Sequence, residues 1–211
     1  MFNFTTLLSN PLLFVVGFLA LVISISVHEF AHVFAAYLQG DQTGKALGRL
    51  TLNPLRHLDP IGTLAILFIG LGWGRPAPFN PYALRYRRWG PALVALAGPI
   101  SNIIVVALAG YVLLLFGSNL ESGNLLRLFL GTLVILNAAL AVFNIIPIPP
   151  LDGSHLLEAV FGESNQVVRL LKTYGIFLVI VILFLPSNPI SGFILWGVRL
   201  VLRLLGLGQL A

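Results

Sequence analysis

The sequence has no cysteine, and only seven of its 211 residues are acidic; charged residues of both signs make up 9%. Without cysteine there are no disulfides and no thiolate metal sites. An average soluble domain carries about 25% charged residues, so a globule with this few could not keep its surface in water. Hydrophobic residues reach 58% and the mean hydropathy is +0.97. Much of the chain is therefore solvated by lipid, which excludes an ordinary soluble enzyme, a disordered chain and a nucleic-acid module. The net charge of +5 does not reverse that exclusion. The twelve Lys and Arg residues fall in the gaps between apolar runs, where the positive-inside rule places them. The first charge is Glu29, so the N-terminal stretch lacks the basic region of a secretory signal.

Residues 11–38 read as one helix, longer than the ~20 residues needed to cross a bilayer. Uncharged runs follow at 91–120 and 128–151, the latter with Arg127 just before it, and a fourth run extends from Thr173 to Pro186. The tail 190–208 is apolar, with Arg199 and Arg203 one turn apart, and suits either a last span or an interfacial helix. Two stretches differ. Residues 40–59 contain Gly40, Gly44, Gly48, Asn53 and Pro54, which favour turns and short strands. Residues 60–74 are apolar but would measure only about 22 Å as a helix, short of the ~30 Å hydrocarbon core. The expectation is one domain over 1–211, an all-α polytopic membrane protein. It would have about 4–6 membrane helices plus a short membrane-associated β-hairpin or re-entrant segment.

Within the first run lies His28-Glu29-Phe30-Ala31-His32, an H-E-x-x-H pattern. Helical positions four apart stand about 40° apart around the axis and 5–6 Å apart at Cβ, so both imidazoles can meet one Zn²⁺. Glu29 lies on the same side and can reach a metal-bound water without being forced to ligate. A single histidine on an apolar face is usually a hydrogen-bonded core residue. Three ionisable groups in five residues of a spanning helix are a different case, since each charged one costs roughly 2.5–3.5 kcal/mol or more at mid-membrane. A metal satisfies all three together. Catalytic zinc takes a third protein ligand and keeps one position open. Asp152 is the candidate, because Pro147, Pro149 and Pro150 would unwind the preceding helix near the membrane surface. The alternatives are that Asp152 caps the next helix, near 155–160, or that His155 or Glu158 ligates instead.

These motifs resemble those of the site-2 proteases, the intramembrane zinc metalloproteases. H-E-x-x-H in an apolar helix is followed about 120 residues later by Asn144-Ile-Ile-Pro147-Ile-Pro149-Pro150-Leu151-Asp152-Gly153, which matches N-x-x-P-x-P-x-L-D-G. Between them Gly98-Pro99-Ile100-Ser101-Asn102 matches G-P-x-x-N. The resemblance covers roughly 15–160, within a catalytic core of about 11–160 followed by C-terminal helices at about 170–208. It implies zinc held by His28, His32 and Asp152, with Glu29 as catalytic base and Asn144 positioning substrate or stabilising the oxyanion. Gly98 and Asn102 would support the site, or simply pack helices closely around one satisfied amide. The implied partner is a membrane-spanning protein substrate in the lipid of the cell membrane, not nucleic acid. The chain resembles the compact subgroup without PDZ or regulatory domains, and Leu52-Asn53-Pro54 and Gly72-Trp73-Gly74-Arg75-Pro76 resemble that subgroup's membrane-associated hairpins.

Topology tests the pairing independently. For residues 28, 32 and 152 to reach one ion, the first and third long helices must end on the same side, so 60–74 cannot be a full crossing. The basic residues of 39–59, 75–90 and 152–172 place those loops in the cytoplasm and the N-terminus outside, with the site nearer the cytoplasmic side. A substrate helix must unwind before cleavage, and 47–53 or 72–80 could hold it extended as an added strand. The competing reading is a metal-ion transporter or a non-catalytic scaffold using the same groups. A transporter needs polar groups through both membrane halves, and the 91–120 run offers almost none.

Overall fold

A computed structural model describes residues 8–69, 74–121, 123–185 and 189–210. The longer helices are α1 (Pro11–Leu38), α2 (Pro60–Ile69), α3 (Gly90–Phe116), α4 (Leu125–Asn144), α5 (Gly153–Phe161), α6 (Gln166–Phe184) and α7 (Pro189–Leu204). Three starts share one device, a side-chain amide oxygen that accepts otherwise unpaired N–H groups of the first turn. Asn10 takes the N–H of Leu13 at 3.0 Å, Asn124 those of Leu126 and Arg127, and Asn165 those of Val167 and Val168. Asn165 explains why α6 begins at Gln166, well before the apolar run that starts at Thr173.

The helices α1, α3, α4 and α6 are long and apolar enough to cross a membrane, and the chain is a multi-pass membrane protein. The first three form the core, antiparallel in sequence. Its centre is built from small and β-branched side chains: Ala20, Val106, Ala109, Val134 and Ala138 are all buried. Small residues let helix backbones approach closely, which is how helices associate in lipid. The outward faces carry leucine, isoleucine and phenylalanine, such as Leu19, Leu108 and Leu115.

The third long run ends earlier than its apolar composition implied. Helix α4 stops at Asn144, and residues 145–152, which include Pro147, Pro149 and Pro150, fold as turns before α5. The tail 190–208 resolves to α7, packed along α4. Ile190 clusters with Ile146 and Leu151 at one end of the bundle, and Leu202 and Leu207 cluster with Ala20, Leu113 and Leu133 at the other.

The expected hairpin is reduced. Among the described residues no strand forms, and the β pairing is a single antiparallel bridge between Leu58 and Gly74, with the Arg75 N–H on the His57 carbonyl at 2.7 Å. Residues 60–69 are helical, and the rest of the 60–74 segment through Trp73, like Gly72 of the hairpin motif, lies outside the described residues. Glycine and proline between 40 and 59 instead produce a one-turn helix (Thr43–Ala46) and a 3₁₀ turn (Pro54–Arg56).

Candidate metal centre

His28, His32 and Asp152 converge, with one ligand atom from each lying within 4.8 Å of the others. His28 Nε2 and His32 Nε2 are 3.0 Å apart. Asp152 Oδ2 is 3.1 Å from the first, and Oδ1 is 3.4 Å from the second. Donors about 2.0–2.2 Å from a tetrahedral zinc ion stand about 3.3–3.5 Å from one another, so this set fits with shifts of a few tenths of an ångström. Both histidines are buried, and Asp152 and Glu29 are half-buried.

Each imidazole is fixed from behind. His28 Nδ1 donates to Asn102 Oδ1 at 2.5 Å, and His32 Nδ1 donates to the Val94 carbonyl at 2.8 Å. With Nδ1 carrying the proton, the Nε2 lone pair of each ring faces the other ligands, the tautomer a metal requires. Gly98 makes this approach sterically feasible. A Cβ there would lie 2.5 Å from His32 Cε1 and 2.6 Å from His28 Cε1. The next residue, Pro99, sits inside α3 without an N–H to donate. Gly98 and Asn102 thus stand where α3 packs against the two histidines, with Asn102 in hydrogen-bond distance of His28.

Asp152 does not cap α5. It occupies the position before the helix, but its side chain makes no capping bond. Gly153 sets its placement, since a Cβ at that position would collide with the carbonyl of Ile145. Only glycine lets the chain fold back so tightly on the end of α4. The two carboxylate oxygens of Asp152 face the Nε2 atoms of His28 and His32 instead. The rival ligands lie elsewhere: His155 faces Glu158 at 3.7 Å, and Glu158 pairs with Lys172 at 3.1 Å.

Glu29 shares the electrostatic environment of His32, His28 and Asp152. Its Oε2 is buried with no hydrogen-bond partner among the described residues. Over it lies the bridged loop pair, with a Cβ at Gly74 falling 3.9 Å from Glu29 Cγ. Asn144, at the end of α4, donates from Nδ2 to the Leu140 carbonyl at 3.0 Å.

Two groups were not anticipated. Asn137 and Ser24, fully buried, extend the contact of Asn102 across the core. Arg49, also buried, donates to the carbonyls of Arg75 and Pro76 at 2.7 and 3.3 Å, holding the loop over Glu29. Ser24 stands one helical turn before His28, and Asn137 two turns before Asn144. These were the available sequence signals, polar residues sharing a face with motif residues.

Two histidines and one carboxylate brought together among helices long and apolar enough to span a membrane form a donor set that could hold a metal ion. Residues 117–186 match the family model described as Peptidase family M50. The chain is 38% identical over 184 residues to the Bacillus subtilis protein named "Putative zinc metalloprotease YwhC", covering 84% of this chain and 83% of that one. It is 32% identical over 190 residues to Mycolicibacterium smegmatis "Putative zinc metalloprotease Rip2", covering 84% and 71%. A zinc metalloprotease of Methanocaldococcus jannaschii is 26% identical over 202 residues, 96% of this chain and 46% of that one. No solved structure matches the chain significantly. The chain belongs to peptidase family M50, the site-2 proteases, and its cofactor is Zn²⁺.

Proposed function

We propose that this protein is a zinc-dependent intramembrane endopeptidase that hydrolyses a peptide bond within or near the transmembrane segment of a membrane-anchored protein. His28, His32 and Asp152 would hold the zinc. The observation carrying this reading is the convergence of Asp152 on the H-E-x-x-H pair, with both imidazoles held from behind in the ligating tautomer. When bound, zinc supplies a Lewis acid that polarises the scissile carbonyl and lowers the pKa of water toward ~7.

The chain's own groups do the rest. Glu29, whose Oε2 is unpartnered, takes the proton of the attacking water and returns it to the leaving amine. Asn144 commits one N–H to Leu140 and keeps a second to orient substrate or to stabilise the oxyanion. The unwound residues 145–152 bring polar backbone to membrane depth, which is tolerated where it lines protein or a wet cavity. Because a substrate helix hides its carbonyls in its own hydrogen bonds, the loop pair joined at Leu58 and Gly74 would hold it extended. The positive-inside rule, applied to the basic loops, supports a cytoplasmic location for this end of the bundle.

The test is co-expression with single-span anchor proteins, comparing wild type with Glu29→Gln. The variant should keep its zinc and lose cleavage by about 10²–10⁴-fold, the usual worth of a general acid–base. Undiminished cleavage would remove Glu29 from the mechanism, and a transporter would tolerate the change.

A further inference from the structure

The His28 contact is the end of a longer chain of hydrogen bonds. Asn102 Nδ2 donates to Asn137 Oδ1 at 2.7 Å. Asn137 Nδ2 donates to Ser24 Oγ at 2.7 Å and to the Leu133 carbonyl at 2.8 Å. Ser24 Oγ donates to the Ala20 carbonyl at 2.6 Å. The chain links α1, α3 and α4, and Ser24, Asn102 and Asn137 are each 0% exposed.

Its direction follows from its ends. The carbonyls of Ala20 and Leu133 can only accept. Ser24 spends its single hydrogen on Ala20, so it must accept from Asn137. The NH₂ of Asn137 therefore faces Ser24 and Leu133, and its oxygen faces Asn102. Asn102 must then turn its NH₂ toward Asn137 and its oxygen toward His28. That oxygen needs a donor, so the His28 proton sits on Nδ1 and the Nε2 lone pair is free. Without Asn137 nothing decides which way the Asn102 amide turns. The reversed amide would present N–H to Nδ1 and move the imidazole proton to Nε2, the atom that should ligate.

We propose that Asn137, supported by Ser24, is a positioning residue that sets the tautomer of His28 for metal binding. The proposal rests on the assignment of His28, His32 and Asp152 as ligands. Asn137 touches neither metal nor substrate; it acts through Asn102.

The experiment measures zinc affinity by competition with a chelating indicator in detergent. It compares wild type, Asn102→Ala, Asn137→Ala, the double variant and Ser24→Ala, with thermal melting and the visible spectrum of each Co²⁺-loaded protein. Replacing groups behind a ligand typically weakens metal binding 10–100-fold. Asn137→Ala should lose about tenfold in zinc affinity and shift the Co²⁺ bands, and Ser24→Ala should lose less. In the Asn102→Ala background, removing Asn137 should change affinity little further, because the chain is already cut. A helix-packing role alone would lower the melting temperature while zinc affinity and Co²⁺ bands stayed as in wild type, and that result overturns the proposal. So does an equal loss with and without Asn102. If Asn137→Ala does not fold, the near-isosteric Asn137→Leu, which removes the acceptor facing Asn102, carries the same test; unchanged zinc affinity there overturns the relay. A wild type that binds no zinc overturns the ligand assignment and the proposal with it. Zinc-binding wild type with unaltered variants overturns the proposal alone.

Discussion

Gly98→Ala is the most informative single-methyl change. In an exposed helix it would be stabilising, since alanine in a helix interior is favoured over glycine by roughly 0.5–1 kcal/mol. Here the added carbon would lie 2.5 Å from His32 Cε1, 2.6 Å from His32 Nε2 and 2.6 Å from His28 Cε1. Carbon atoms in contact prefer about 3.5–4.0 Å, so both rings must retreat by about 1 Å. They cannot do so freely, because each is tied through Nδ1 to α3 itself, His28 by Asn102 and His32 by Val94. Metal–ligand distances tolerate only about ±0.2 Å. Overpacking of this kind costs about 1–3 kcal/mol, of which the helix gain offsets at most about 1 kcal/mol. The expected result is a folded protein, melting within several degrees of wild type, whose zinc affinity is reduced at least about tenfold and whose proteolysis is lost. Zinc content after purification, measured by plasma mass spectrometry alongside cleavage of a single-span reporter, reads this directly. Full stoichiometric zinc with wild-type cleavage would mean that the imidazoles do not rest against residue 98.

Two further outcomes probe the loops above Glu29. Leu52→Pro removes a backbone donor from the loop proposed to hold substrate, so cleavage should fall while zinc content stays constant; equal cleavage would exclude that edge. Burial pushes the His57 imidazole below its usual value, against a smaller opposing contribution from its bond to the Thr51 carbonyl, and the Arg49 charge adds to the lowering. A depressed histidine lends stability that is present above the unfolded value of about 6.5 and lost as pH falls through the folded one. Hydrogen-exchange protection of 49–58 and 74–76 should therefore decline on acidification below about pH 6.5, and protection that stays constant from about pH 7.5 to 5.5 contradicts this.

The elements most legible in the sequence were those governed by local rules. The four-residue spacing of His28 and His32 announces a shared helical face. The prolines after Asn144 announce an unwound stretch, and its Asp152 does stand at the histidines. Crossing parity then required 60–74 to be less than a span. What could not be read depended on partners distant in the chain. Asn137 lies in an apolar run where its spacing from Asn144 was the one local signal, and its meaning emerges only when α3 supplies Asn102 and α1 supplies Ser24. For Gly98 the sequence left close packing and a direct role equally open, because its neighbour is an imidazole 70 and 66 positions earlier rather than anything local. The hairpin is not confirmed among the described residues beyond the Leu58–Gly74 bridge; glycine and proline mark departures from helix, but without alternating apolar residues they do not specify a strand.

The far end of the bundle bears on how the protein meets water. Leu207, wholly enclosed, sits against Gly110, where even a methyl group would collide with it, and the Tyr111 hydroxyl donates to the Leu205 carbonyl at 2.9 Å. Between this stopper and the histidines lie Ala20, Val106, Leu133 and Val134, and then a polar rung whose hydrogen bonds are already spent. Among the described residues the hydrogen-bonded polar groups near the histidines end at that rung, and the packing beyond it toward Leu207 is apolar. Apolar packing of that kind offers a hydrated cation nothing to replace its water, so an ion crossing this end of the bundle would face the full cost of dehydration.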